Sequence, residues 1–272
     1  MAYWRLDLSV LLGLLVLAEA YLLGVWPLRR RLAGAAPFPA VQATLFGCGL
    51  LTLFVALESP LDTLGDHYLF SMHMTQHLLL VLVVPPLLLS GTPRWLVSPL
   101  LKPAPVRWIT LLLTAPATAF LLFNTVFALA HLPGVMALTL RNETAHTAEH
   151  LIFLATAVLT WWPVLGSAGQ PRRLPYPLRM VYLFLQTLPC ALVGALITLT
   201  GHVLYPDYAA APRVWDLSPL QDQQIGGLIM WIGGSLYFFL AFTAVFFVWA
   251  ARDEGELKGG LRMINGQGVA PS

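Results

Sequence analysis

Leu69-Phe70-Ser71-Met72-His73-Met74-Thr75-Gln76-His77 runs without interruption into Leu78-Leu79-Leu80-Val81-Leu82-Val83-Val84-Pro85-Pro86-Leu87-Leu88-Leu89. No charged side chain occurs in it, apart from histidine, and its length matches the roughly 20 residues that an α-helix needs to cross a bilayer. Residues four apart on such a helix share a face, with Cβ atoms roughly 5–6 Å apart. His73 and His77 can therefore hold one metal ion between them. The pattern returns as His146-Thr147-Ala148-Glu149-His150, again ahead of an apolar run. Two His-x-x-x-His pairs at the heads of two membrane helices read as a binding site.

Six further stretches are as apolar: about 8–26, 41–57, 109–129, 147–165, 178–201 and 225–251. Of 272 residues, 58% are hydrophobic and only 10% charged, with a mean hydropathy of +0.74. A soluble domain carries about 25% charged residues. The sequence thus predicts an all-α polytopic membrane protein of seven transmembrane helices, one domain over 1–272 without a soluble module. No nucleic-acid partner is expected; membrane lipid is. The charged, glycine-rich end, 253–272, reads as a flexible cytoplasmic tail.

Orientation follows from the basic residues. Arg29, Arg30 and Arg31, then Arg94, Lys102 and Arg107, then Arg172, Arg173 and Arg179, and finally Arg252, Lys258 and Arg262 fall in alternate loops. By the positive-inside rule those loops are cytoplasmic, which places the N-terminus outside and the C-terminus in the cytoplasm. Arg5 and Ala18-Glu19-Ala20 give the first span some likeness to a signal peptide. Its apolar run continues to Trp26, however, with the basic cluster after it, which suits a retained helix. Glu19 lies deep in that span, and a carboxyl there is expected to face the bundle interior or a polar cavity. Cys48 and Cys190, both mid-span, read as small buried hydrophobes.

Spans three and four form a unit: a histidine pair, a descent, a basic loop, and a rise to His131. Spans five and six repeat it, ending at His202, so a parallel repeat of helices 3-4 and 5-6 is expected. Pro85-Pro86 predicts a kink, and Trp161-Trp162 suits an interfacial aromatic belt. Asp222, Gly226 and Met230 share one face at the head of span seven, where the glycine admits a close neighbour.

All seven histidines fall at or just below the outer face in this topology. The candidate ligands are His73, His77, His146 and His150, then His131, His202 and Asp222 as ligands or as groups that fix imidazole tautomers. Met74 and Met230 follow as thioethers. Imidazole suits several metals, and nearby thioether tilts the choice towards Cu(I). Haem fits poorly, because two histidines four apart on one helix converge on one point. Neither histidine pair has the glutamate of H-E-x-x-H, which disfavours zinc hydrolysis without removing it. A retinal-type protein is excluded, since span seven has no lysine for a Schiff base.

The motif Met72-His73-Met74-Thr75-Gln76-His77 with Pro85-Pro86 and Gly91-Thr92-Pro93 resembles the CtaG-like (caa-type) cytochrome c oxidase assembly factor family, the multi-span membrane type. The resemblance continues through His131-Leu132-Pro133, His146–His150 with Trp161-Trp162-Pro163, and Asp222-Gln223-Gln224-Ile225-Gly226-Gly227. It implies a role in maturing haem–copper oxidases by supplying copper to the catalytic subunit. The expectation is therefore a non-enzymatic, multi-pass protein of the bacterial inner (plasma) membrane. It would take copper, as Cu(I), from a periplasmic copper donor and pass it to the cytochrome c oxidase catalytic subunit. A zinc-dependent intramembrane hydrolase and a metal-free assembly scaffold are the alternatives.

Overall fold

A computed structural model describes the backbone of residues 4, 6–33, 37–166 and 174–266, and their side chains except at 33 and 256–266. Among these residues every regular element is helical. In chain order they are α1 (Leu8–Val25), α2 (Arg29–Ala33), α3 (Ala40–Glu58), α4 (Pro60–His67), α5 (Phe70–Gly91), α6 (Arg94–Val97), α7 (Ala104–Leu113), α8 (Pro116–Ala130), α9 (Pro133–Arg141), α10 (Glu143–Leu165), α11 (Tyr176–Leu199) and α12 (Pro206–Ala210). The last, α13, begins as Pro219–Leu228 and continues after a wider turn as Ser235–Gly266.

Among the described residues six helices are long and apolar enough to cross a membrane, and a seventh span results if the bent pair α7 and α8 is counted as one. These helices fit a multi-pass membrane protein. The fourth span is not the straight rod that 109–129 predicts. It breaks by 66° between Leu113 and Pro116, because proline at the first helical position of α8 lacks the N–H to continue α7. Residues 253–266, within the stretch read as a flexible tail, are helical, and 267–272 lie outside the described residues. Arg5, Arg172 and Arg173 also lie outside them.

α5 is the central rod, with half of its length buried against 17% for α1. The proline pair shapes it by a different route from a simple kink. Pro85 has no N–H to offer the Val81 carbonyl four residues back, and Leu79–Val83 widens into a π-turn. The Trp161 indole Nε1–H donates to that carbonyl at 2.9 Å. Trp161 is thus a buried cap, 3% exposed, and not part of an interfacial belt. α13 repeats the device at Ile229–Gly234, where the Cys190 thiol donates to the Met230 carbonyl at 3.1 Å. Such π-turns occur mostly as single turns and often at functional sites.

Cys190 is buried as read, but Cys48 is exposed. Glu19 lies on the exposed face of α1, where the sequence placed it inside the bundle. α11 and α13 touch backbone to backbone: a Cβ added at Gly194 would lie 2.7 Å from the Trp231 nitrogen and 2.8 Å from the Gly227 carbonyl. Lower in the bundle a polar chain is fully paired. The Asn124 amide donates to Gln186 Oε1 at 2.9 Å, Gln186 donates to Thr160 Oγ1 at 2.6 Å, and Thr160 meets the Tyr182 hydroxyl at 2.8 Å.

Candidate metal centre

The heads of α5 and α10 meet the foot of α8 and the short α4 at one end of the bundle. Asp222 fixes α5 there. The capping position, Leu69, has no polar side chain, and the Asp222 carboxylate of α13 takes over its work. It accepts from the Phe70 and Ser71 backbone N–H groups at 2.7 and 3.1 Å and from the Ser71 hydroxyl at 2.6 Å. An anion at a helix N-terminus satisfies free N–H groups and suits the helix dipole. With both oxygens engaged, Asp222 anchors the helix that carries the histidines.

α4 folds back directly on α5. A Cβ at Gly65 would stand 3.0 Å from the backbone nitrogen and Cα of His73, so a side chain there would press the two helices apart. The close approach brings Asp66 beside His73, with Oδ1 to Nδ1 at 3.7 Å, and beside His146, with Oδ2 to Nδ1 at 3.4 Å. Gln76 ties the same corner by donating to the Ala56 carbonyl at 3.0 Å and to Asp62 Oδ1 at 2.8 Å. Burial, with Asp66 adjacent, raises the Asp62 carboxyl to about 7 against that hydrogen bond. Burial also pushes Asp66 upward, but the imidazoles of His73, His146 and His150 outweigh it and hold Asp66 below its usual value.

The imidazoles converge. Ring centroids are 4.2 Å apart for His73–His77 and for His146–His150, and 5.6 Å for His73–His146 across helices. His77 lies 5.5 Å from His150 and 6.2 Å from His131. His131, expected at the surface, is only 6% exposed. Its Nδ1 lies 2.6 Å from the Phe127 carbonyl, which assigns the proton to Nδ1 and leaves Nε2 free as a ligand. Burial pushes this imidazole down to about 4, against that hydrogen bond.

What marks the cluster is its missing partners. Nε2 of His73, both nitrogens of His77 and Nε2 of His131, His146 and His150 are buried without a hydrogen bond, and His73 Nδ1 faces Asp66 Oδ1 only at 3.7 Å. Such atoms are rare in native structures and call for an ion or a function. Ligand atoms of Asp66, His73 and His146 lie within 4.8 Å of one another, as do those of His73, His77 and Glu149. An imidazole and carboxylate donor set can bind a transition metal.

His202 stands apart: it is exposed, and its part in the fold is a carbonyl that accepts from Gln223 at 3.2 Å. Met74 and Met230 are wholly buried in the hydrophobic core, Met74 against Gly226 and Met230 beside Cys190. Asp66 and Glu149 are the carboxylates that reasoning from histidine spacing left out of the ligand set. Glu149 was visible inside the second histidine pair, whereas Asp66 sits on another helix and has no spacing signal.

α12 covers this end. Tyr208 donates to the Gly65 carbonyl at 2.7 Å and Tyr205 to the His131 carbonyl at 2.9 Å, while Phe70 stacks on Tyr205 at 4.6 Å. Arg141 pins α12 to α9 through Asp207 at 2.8 Å.

Residues 19–252 match the family described as cytochrome c oxidase caa3 assembly factor (Caa3_CtaG). The chain is 30% identical over 270 residues to uncharacterized proteins of Mycobacterium bovis and Mycobacterium tuberculosis, and 29% identical over 267 residues to one of Mycobacterium leprae. Each alignment covers 92% of this chain and 40% of the relative, so the chain spans less than half the length of these relatives. No solved structure matches it. With the match running from α1 into α13, the chain belongs to the cytochrome c oxidase caa3 assembly factor family.

Proposed function

We propose that this assembly factor carries copper in the histidine cluster and delivers it to the catalytic subunit of the oxidase. The observation that carries the reading is the convergence of five imidazoles and two carboxylates from four helices, most of their buried polar atoms unpaired. Leaving a buried polar group unsatisfied costs about 1–3 kcal/mol, and a coordinated cation would offset that cost at several groups together.

The histidine end would face the periplasm, with the N-terminus outside and the C-terminus in the cytoplasm. Arg29, Arg94, Arg107, Arg179 and Arg252 fall at the opposite end of the helices, which supports that orientation. Copper would arrive from a periplasmic donor. Asp66 and His146, part-exposed at 18% and 13%, are the groups nearest solvent from which it could be taken and returned. The protein's role is to hold, shield and release cargo, and the reading includes no catalysis. The donors gathered are nitrogen and oxygen, so Cu(II) is as well served as the Cu(I) that thioethers would favour.

The test is to replace His73 and His77 together with Ala and measure active oxidase in membranes, with and without added copper. A copper donor predicts loss of active oxidase with apoprotein subunits still made. Assembly at the unaltered level would indicate a scaffold that works without metal. A zinc-dependent hydrolase is the second reading, favoured only by Glu149 among the rings; lipid turnover by the purified protein with added zinc would support it.

A further inference from the structure

We infer that the cluster holds two cations, one shallow and one deep, bridged by the imidazole of His73. The inference rests on the metal-carrying reading above and specifies its site.

Among the described residues there are two donor sets, and His73 is the residue they share: Asp66–His73–His146 and His73–His77–Glu149. Its Nδ1 is directed to the first, 3.7 Å from Asp66 Oδ1. Its Nε2, on the other edge of the ring, is also buried and without a partner, and remains for the second. Metal–nitrogen bonds are only about 2.0–2.1 Å long. The two nitrogens of one imidazole point in divergent directions, so a single ion cannot bind both. Each set also brings its own carboxylate, and each has another histidine close by. His150 is 4.2 Å from His146 and 5.5 Å from His77, ring to ring, and His131 is 6.2 Å from His77. Five imidazoles and two carboxylates exceed what one four-coordinate ion uses and suit two.

The positions differ in access. In the shallow set the side chains of Asp66 and His146 keep 18% and 13% of their exposure. In the deep set His73, His77 and Glu149 are 0%, 2% and 8% exposed. The acidic residue Asp62 stands beside the shallow set, tied to Gln76. Cargo therefore enters at Asp66 and reaches the deep position past His73. When both positions fill, His73 loses its one remaining ring proton to solvent and becomes a bridging imidazolate; no electron transfer is involved.

The experiment is a titration of the purified full-length chain in detergent with Cu(II), followed by metal analysis and electron paramagnetic resonance. The expected result is two copper ions per chain at saturation. The signal grows through the first equivalent and declines with the second, as two spins couple through the shared ring. Asp66→Asn should bind one copper with an uncoupled signal, and Glu149→Gln serves as the counterpart from the deep side. Saturation at one copper per chain, or a full uncoupled signal from two, overturns the bridge while leaving the carrier reading intact. No retained copper overturns both. The unaltered chain decides the matter alone if a variant fails to fold.

Discussion

Two buried polar clusters lie in the same bundle and contrast in one respect. The chain Asn124–Gln186–Thr160–Tyr182 is satisfied, each member donating or accepting within 2.6–2.9 Å. At the histidine end, most of the imidazole nitrogens are just as buried and meet no hydrogen-bond partner. Both clusters consist of polar side chains carried on apolar helices, so composition does not separate them. Their hydrogen bonds do. A satisfied network stabilises and specifies packing, whereas an unsatisfied one holds free energy in reserve for a ligand. The first reads as structural and the second as functional.

The comparison can be broken in several places. The largest effect expected is on metal: replacing His73 and His77 with Ala should weaken copper binding at least 100-fold, while Gln186→Leu should leave it within a factor of about three. Chelator competition on the purified chains measures both. Equal losses would erase the distinction between the clusters.

Acid should act on the histidine end and spare the network. An unfolded chain protonates His131 near pH 6.5, but the folded protein resists until about 4. Its folded value is depressed, so the metal-free protein loses stability as pH falls from about 6.5 to 4, by on the order of 3 kcal/mol. Chemical denaturation across that range checks the slope, and His131→Asn should flatten it. An unchanged slope in that variant would show that other groups carry the effect.

Stability should respond with opposite signs at the two clusters. Gln186→Leu strands the partners of a satisfied amide and should cost about 1–3 kcal/mol. His77→Leu removes an imidazole without partners and should raise the melting temperature of the metal-free protein. A fall as large as that of Gln186→Leu would mean that His77 is already satisfied without metal. The smallest effect belongs to Arg141→Gln. The exposed Arg141–Asp207 pair is worth under about 1 kcal/mol, and thermal unfolding should barely register its loss.

The spans were legible because a bilayer demands about 20 apolar residues in a row, and α1, α3, α5, α10 and α11 obey that demand directly. The break before Pro116 was not, since the apolar runs on either side of Thr114-Ala115-Pro116 read as one span when hydropathy is averaged over it, although the proline is itself a break signal. Pro85-Pro86 announced an irregularity but not its form, which depends on Trp161 reaching Val81 from another helix. The same limit governs the site. The pairs His73–His77 and His146–His150 follow from helical periodicity alone. That they face each other, that Asp66 joins them and that Asp222 caps α5 depend on packing between distant segments. The hydrogen bonds that Asp222 accepts from the head of α5 have no signature in the sequence around it. Glu19 misled: burial was inferred from depth in the span, and α1 is the least enclosed of the long helices near the chain start.

The central claim is that imidazoles from separate helices share bound metal. X-ray absorption at the copper edge of the purified, copper-loaded full chain tests it most directly. The account predicts a coordination sphere of nitrogen and oxygen with the outer scattering of several imidazole rings, lost when His73 and His77 are replaced together. A sphere dominated by sulfur, or one unchanged in that double variant, would contradict it.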